Sequence, residues 1–279
     1  MISTNDLQSL TSPFISCGMY AFTDDLKVAW QAFFKLFNDV IDDSLDSTIR
    51  FETDSITLSD DHLYIGHTCG YPLMKNLKNK LRPFCVPVFD APGCYGQYNA
   101  SLFVTSVDSE IQSLRDGYQG VAVVNGQNSN SGMNVFRHAV APIAQEKSKG
   151  EAFFSRIIES GSHRQSLIEV GEGRADLAAI DSVSFALIAD AWPALAARVR
   201  SIGFSEKTCG LPFVMPHSRL KITDPRRLTF QFNEALNMLP DQHRQCLRLA
   251  EFVDVELSQY QSILDLEQQA IELSYANLI

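Results

Sequence analysis

Apolar residues along the chain follow two spacings, one typical of amphipathic helices and one typical of buried strands. Trp30, Phe33 and Phe37 recur at helical intervals after Asp24, so they predict a helix whose apolar face packs into a core. Further helices are predicted at residues 133–141, 165–172, 183–189, 224–239 and 256–277. Short apolar runs predict strands at residues 14–20, 49–52, 63–65, 86–89, 102–106, 121–124 and 177–180.

Strands and helices alternate over most of the chain, which is typical of an α/β protein with mostly parallel sheets flanked by helices. A chain of 279 residues suits two compact α/β lobes. The first lobe is predicted to end near residue 100, and the second begins with the strand at 102–106. The sequence has no internal repeat, low-complexity segment or long linker. We therefore expect short crossings between the lobes.

The charge balance disfavours two classes of partner. Lysine and arginine number 23 against 33 aspartates and glutamates, a net charge of -10 that opposes attraction to nucleic acid and to anionic lipid. The sequence contains no apolar run long enough to cross a membrane, so no membrane insertion is predicted. The same charge repels an anionic ligand, which would need local donors such as backbone N–H groups and hydroxyls.

The six cysteines and the N-terminal sequence set expectations for metals, redox state and export. No pair of cysteines has the C-x-x-C spacing, and His62, His67 and Cys69 lack a matching second pair, so neither a metal nor a cofactor is predicted. Residues 1–11 contain neither a basic nor a continuous apolar stretch, so no secretory signal is visible and reduced thiols are expected.

The segment after the strand at 121–124 is rich in hydroxyl and amide side chains. Backbone amides and hydroxyls at a helix start would present neutral donors to an anion, and a glycine would let the ligand approach the backbone. A serine that only caps the helix also explains the pattern, although the number of hydroxyls favours binding. The candidate binding residues here are Asn128, Ser129, Asn130, Ser131 and Gly132.

Two more candidates follow other predicted strands. His163 stands at the predicted start of a helix, where it could donate to a bound oxyanion, although a lone histidine is more often a cap or a core residue. Asp181 ends the apolar strand at 177–180, at the sheet edge where α/β proteins bind ligands. A capping role for the following helix would explain Asp181 alone. Cys69 or Cys94 with His163 would need a third, orienting group for catalysis, so an enzyme is not predicted.

Taken together, these segments resemble the phosphonate-type substrate-binding proteins of ABC transporters over nearly the whole chain. Each segment is weakly specific alone, and their common order makes the resemblance specific. The segments are Gly-Met-Tyr at 18–20, Thr-Cys-Gly-Tyr-Pro-Leu at 68–73, Ala-Pro-Gly-Cys at 91–94, Ser-Asn-Ser-Gly at 129–132, Ser-Gly-Ser-His at 160–163 with Ser166, and Ala-Ala-Ile-Asp at 178–181.

The resemblance implies a type 2 periplasmic binding protein fold, with a ligand cleft between two α/β lobes. It implies a discontinuous lobe 1 of residues 1–101 and 205–279, and a lobe 2 of residues 102–204. It adds Tyr20 and Tyr71 to the binding residues named above. Phosphonate binders have a further acid where this chain has Thr-Cys-Gly-Leu at 208–211, which disfavours an aminoalkyl phosphonate.

The sequence thus predicts a solute-binding protein for a small oxyanion of the phosphonate, phosphate or phosphite class, with an ABC permease as partner and without catalytic residues. The alternatives are a binder of a thiamine-pathway pyrimidine or another small organic ligand, and a cytoplasmic sensor or enzyme on the same fold. The resemblance implies a periplasmic location, whereas the absence of a visible signal is compatible with a cytoplasmic one. If the protein is exported, Cys69 and Cys94 could form a disulfide.

Overall fold

The structure is a computed structural model, and it describes residues 13–41, 50–52, 58, 61–148, 152–221 and 223–278. Residues 1–11, on which the expectation about export depends, and Ile49, the first residue of a predicted strand, lie outside this description. The strands are β1 (Phe14–Ser16), β2 (Arg50–Glu52), β3 (Leu63–His67), β4 (Leu81–Phe89), β5 (Cys94–Tyr95), β6 (Tyr98–Asn99), β7 (Ser101–Ser106), β8 (Val121–Val124), β9 (Arg156–Glu159), β10 (Leu177–Asp181), β11 (Val199–Phe204), β12 (Thr208–Cys209), β13 (Phe213–Pro216) and β14 (Leu249–Asp254).

Several helices begin at a side chain that accepts a backbone N–H, as Thr23, Ser162, Asp181 and Asp224 do. The helices are α1 (Asp24–Val40), α2 (Gly70–Pro72), α3 (Val135–Ser148), α4 (His163–Gly171), α5 (Ser182–Ala191), α6 (Pro193–Ala196), α7 (Pro225–Met238), α8 (Asp241–Leu247) and α9 (Gln261–Glu272). Wider π-helical turns cover Leu73–Leu77 and Asn130–Asn134, and 3-10 turns cover Leu114–Gly117, His217–Lys221 and Leu257–Tyr260.

Unit 1, the first of two compact units, is built around an aromatic core. It comprises Met1–Thr68, Lys75–Phe89 and Leu211–Leu257. Its sheet has the order β14-β4-β13-β3-β1-β2, and α1 packs against α7 and α8. Phe232 on α7 is fully buried, with its ring centroid 5.3 Å from that of Phe33 on α1. The apolar stripe predicted from the sequence is therefore core, as its helical spacing indicates.

Unit 2 carries a five-stranded sheet in which β10, β8 and β9 run in the same direction. It comprises Cys69–Met74, Asp90–Gly210 and Ser258–Ile279. The sheet has the order β11-β7-β10-β8-β9, in which β8 pairs in parallel with both β10 and β9. A smaller sheet has the order β12-β6-β5. Because parallel neighbours end at the same edge of a sheet, the segments that follow β8, β9 and β10 are brought together.

The predicted α/β fold class is confirmed, but the sheets are mixed rather than mostly parallel. In unit 1, β13 runs antiparallel to β3 and β4, and β14 runs antiparallel to β4. In unit 2, β7 runs antiparallel to β10 and β11. Strands β9, β11, β13 and β14 were not predicted. The runs of β11, β13 and β14 contain glycine, proline or charged residues, and the ladders of these three strands shift register.

The bounds of the two units differ from the predicted lobe boundaries. The predicted lobe 1 includes residues 69–74, 90–101, 205–210 and 258–279, whereas all four segments belong to unit 2. The C-terminal segment packs there because α9 lies against α3, and Tyr275 and Leu278 enter the same buried cluster as Phe136. Helical periodicity predicts that such a segment forms a helix, but it does not specify which sheet the helix covers.

Candidate functional site

The serine-rich turn (residues 128–132) leads from β8 into the π-helical turn Asn130–Asn134, which continues as α3. Ser129 is the N-cap, and its hydroxyl oxygen accepts the N–H of Gly132 at 3.0 Å. The capping alternative for this serine is therefore realised. The cap leaves the Ser129 hydroxyl proton available, whereas the N–H of Gly132 is engaged by the cap and that of Asn130 by the Cys69 thiol.

Gly132 is enclosed by two polar side chains of unit 2. A Cβ atom at this position would lie 1.8 Å from Oδ1 of Asn125 and 3.3 Å from Cε1 of His163. Any larger residue would therefore displace the Asn125 carboxamide. Gly132 does not have a positive φ angle, so its backbone conformation does not require glycine. Glycine is needed here because the two side chains approach its backbone closely.

His163 is the first residue of α4, and its helix start meets the serine-rich turn. Nε2 of His163 lies 3.0 Å from Oγ of Ser131. Burial lowers the pKa of His163, while the negative charge of Asp181 opposes that shift. The imidazole is therefore neutral near pH 7 and carries a single ring N–H. Nδ1 of His163 is buried and makes no hydrogen bond to any described residue.

Asp181 closes the site from the end of β10. It is 3% exposed, and Oδ2 accepts the N–H of Ser184 at 2.8 Å, so it also caps α5. The neighbouring Ser182 is buried, and a Cβ at Gly93 would lie 2.2 Å from its hydroxyl oxygen. The turn at 91–94 therefore meets the start of α5. Within the described part of the chain, no partner of the Ser182 hydroxyl is found.

Asn130 faces the interior rather than the open side of the serine-rich turn. Its Nδ2 donates to Oγ1 of Thr208 at 2.8 Å, and its Oδ1 accepts from Nδ2 of Asn134 at 3.0 Å. Asn134, which is fully buried, in turn accepts from Arg137 at 2.7 Å. Asn130 thus holds the turn in position. Asn128, by contrast, is exposed to solvent.

Tyr71 belongs to the same interior network. Its hydroxyl donates to Oε1 of Glu267 on α9 at 2.6 Å, and that carboxylate lies 3.6 Å from Nη2 of Arg137. Burial and the hydrogen bond to Glu267 raise the pKa of Tyr71, so the hydroxyl stays protonated. The structure therefore gives Tyr71 a packing role in unit 2, beside the binding role that the resemblance implies.

Tyr20 is not in unit 2 with the other candidates. It belongs to unit 1, where it is 2% exposed and its ring packs edge-on against His67 and Phe89. Tyr71, Ser129, Ser131, His163 and Asp181 all lie in unit 2. The binding role of Tyr20 stays a prediction.

Cys69 and Cys94 are free thiols in this structure, so the disulfide considered for them is not formed. The Cys69 thiol instead accepts backbone hydrogen bonds from Asn130 and Tyr71. Burial raises the pKa of Cys69, and it raises the pKa of Cys94 to about 12 with a further contribution from Asp181. Both are therefore protonated thiols and poor nucleophiles at neutral pH.

The sequence reasoning omitted Asn125 and Ser182 from the site. Both directly follow the carboxyl ends of parallel strands, β8 and β10, and this position is the signal that could have identified them. The assembled site therefore offers neutral donors, one neutral imidazole and one carboxylate. Across the described ranges, no group of three histidine, cysteine, aspartate or glutamate side chains is arranged to hold a metal. No described helix is both long and apolar enough to cross a membrane.

Solved structures with the same fold include three binding proteins. The binding protein component of an ABC phosphonate transporter from Pseudomonas aeruginosa is 18% identical, with a TM-score of 0.67 over 94% of this chain and 88% of that chain. A Prochlorococcus marinus protein in complex with methylphosphonate is 14% identical, with a TM-score of 0.61 over 94% and 99%. The periplasmic aliphatic sulphonate binding protein of Escherichia coli is 13% identical, with a TM-score of 0.61 over 96% and 90%.

These structural similarities establish the fold. No curated protein matches the chain significantly. The sequence family described as ABC transporter, phosphonate, periplasmic substrate-binding protein matches residues 23–254, which is more than half of the chain. The family consists of transport proteins rather than enzymes, and it implies a small-molecule ligand and a permease partner. The chain therefore belongs to the phosphonate-type periplasmic substrate-binding proteins of ABC transporters.

Proposed function

We propose that unit 2 binds a small oxyanion of the phosphonate, phosphate or phosphite class and that the protein delivers it to an ABC permease. The observation that carries this proposal is the 3.0 Å contact between Oγ of Ser131 and Nε2 of His163, which joins two helix starts at one edge of the sheet. Membership of the phosphonate-type family supports it.

Neutral donors suit an anion in a protein of net charge -10. The hydroxyl protons of Ser129 and Ser131 carry partial positive charge, and the dipole of the helix start at Asn130–Asn134 adds to it. The N–H groups of Asn130 and Gly132 already donate to Cys69 and to Ser129. Because these dipoles are fixed by the fold, they need little reorganisation when the ligand binds. The methylphosphonate complex of the Prochlorococcus marinus protein supports the same ligand class.

Calorimetric titration with phosphate, phosphite and alkylphosphonates tests the proposal. The double variant Ser129→Ala with Ser131→Ala should lose about tenfold or more in affinity and about 1 kcal/mol in stability. Ser201→Ala, which removes an exposed hydroxyl elsewhere in unit 2, is the matched control and should bind as the wild type does. Absence of heat with every oxyanion, or equal affinity of the double variant and the control, would contradict the proposal.

A further inference from the structure

Two side chains that come close to Gly132 each carry a buried polar atom without a hydrogen bond to any described residue: Oδ1 of Asn125 and Nδ1 of His163. Both side chains contact the same point, because a Cβ at Gly132 would meet each of them. An unsatisfied buried polar atom destabilises a fold by about 1–3 kcal/mol, so two of them beside one glycine call for an explanation such as a bound ligand. Folding alone does not explain why both lie here.

The direction of the hydrogen bond between Ser131 and His163 determines whether Nδ1 of His163 is a donor or an acceptor. Since the imidazole is neutral, only one ring nitrogen carries a proton. If the Ser131 hydroxyl donates to a bound oxyanion, its oxygen must accept from Nε2–H of His163. Nδ1 is then unprotonated and is an acceptor. The assignment of Nδ1 as an acceptor rests on the proposed function, in which the Ser131 hydroxyl donates to the ligand.

In this state both unsatisfied atoms are acceptors. The carboxamide oxygen of Asn125 points toward Gly132, and Nδ1 of His163 is the second acceptor. The buried carboxylate of Asp181, whose charge acts on His163, adds negative potential on the same side. An oxyanion without a hydroxyl would leave these acceptors unpaired, whereas one that retains an O–H can donate to them.

We infer that Asn125 and Nδ1 of His163 bind a hydroxyl of the ligand, so that the site selects a singly protonated oxyanion over one that has no O–H. The neutral donors of the serine-rich turn hold the other oxygens of the ligand. Asn125 is in this arrangement a specificity-determining residue. The ligand class is an alkylphosphonate or phosphate-type monoanion rather than an alkylsulfonate of the same charge.

Methylphosphonate and methanesulfonate form a matched pair for the test, because in mildly acidic buffer both are largely monoanions and only the phosphonate has a hydroxyl. Wild-type protein should bind methylphosphonate at least about tenfold more tightly. Asn125→Ala and the near-isosteric Asn125→Leu should each remove most of that preference, by weakening methylphosphonate binding alone. Because the Asn125 side chain makes no hydrogen bond within the described structure, neither variant should lower the melting temperature.

The matched control is Gln127→Ala, an exposed amide two positions away, which should keep the wild-type preference. Equal losses for both ligands, an unchanged preference in both variants, or a marked fall in melting temperature would overturn the inference. Wild-type protein that binds both ligands equally would overturn it while leaving the proposed function intact. Wild-type protein that binds no oxyanion would remove the proposed function itself.

Discussion

Each unit contains a histidine with a buried ring nitrogen, and the two histidines differ in how their ring nitrogens are used. In unit 1, His67 is 3% exposed, stacks on Phe213 at 4.3 Å, and places Nδ1 3.7 Å from Sγ of Cys17 and Nε2 3.3 Å from the carbonyl oxygen of Leu211. In unit 2, His163 contacts Ser131 through one nitrogen and leaves the other unpaired among the described residues.

This difference separates a structural histidine from a candidate ligand residue. Both nitrogens of His67 are engaged and its ring packs among aromatic side chains, so the fold accounts for it completely. His163 lies instead where parallel strands end, next to a glycine and a carboxylate. Histidine count and sequence spacing do not distinguish the two cases. The pattern of satisfied hydrogen bonds does.

The largest expected effect tests how strongly the aromatic core of unit 1 stabilises the protein. Phe232→Ala should lower the free energy of unfolding by about 3–5 kcal/mol, because it opens a cavity among Phe33, Phe37 and Phe213. Trp30 lies in unit 1 and Trp192 in unit 2, so urea unfolding followed by fluorescence in a Trp192→Phe background reports on unit 1. A stability close to that of the wild type would contradict the central place of Phe232 in this core.

The next effect sharpens the role assigned to unit 2. In Gly132→Ala, the new methyl group must push the Asn125 carboxamide aside, so methylphosphonate affinity should fall by about tenfold. Stability should change by less than about 1 kcal/mol, because Oδ1 of Asn125 makes no hydrogen bond to any described residue and alanine favours a helical turn. A double-mutant cycle with Asn125→Ala should show that the second change adds little. Additive losses would indicate that the two residues act independently.

The third prediction uses pH to compare the histidines. Burial lowers the pKa of His67 from 6.5 to about 3, while the hydrogen bond to Leu211 opposes the shift. The unfolded chain therefore binds more protons between these values, and stability should fall with decreasing pH by up to about 1.4 kcal/mol per unit. His67→Gln should flatten this dependence in unfolding titrations at several pH values, with His163→Gln as the comparison. An unchanged slope in His67→Gln would exclude His67 as its source.

The smallest expected effect separates the two serines of the turn. Ser129→Ala removes the cap on the Gly132 N–H and should lower stability by about 1 kcal/mol. Ser131→Ala removes no cap, so its effect should appear mainly in ligand affinity. Parallel thermal melts and titrations of the two single variants make the comparison. If Ser129→Ala mainly weakened binding and Ser131→Ala mainly lowered stability, the roles assigned to the two hydroxyls would be wrong.

Local sequence was sufficient for the elements with an uninterrupted pattern. The apolar run of β8 and the stripe of α1 are clear in the sequence, and Asp24 marks where α1 begins. Strand β11 was missed because its apolar residues are separated by Arg200, Ser201 and Gly203, and its ladder with β7 shifts register. A strand of this kind is held by its neighbours, which a local pattern does not encode.

The site was predicted in part for the same reason. The ends of β8 and β10 indicate where a ligand could bind, so Ser131 and Asp181 could be named from the sequence. Asn128 and Asn130 have the same side chain in the same turn, yet one is exposed and the other is bonded to Thr208. Only the long-range contact distinguishes them. The unpaired oxygen of Asn125 likewise becomes evident only when its surroundings are known.

Unit 2 is assembled from three separated stretches of chain, and this has a consequence for biosynthesis. Arg137 is 4% exposed on α3, but its partners Glu267 and the carbonyl oxygen of Ala276 come from the last segment. During translation, α3 therefore leaves the ribosome long before Glu267 and Ala276, which bind the buried guanidinium of Arg137, are synthesised. We expect unit 2 to stay incompletely packed until residues 258–279 leave the ribosome, so it completes folding only after translation ends. Until then, the incompletely folded chain must be protected from aggregation.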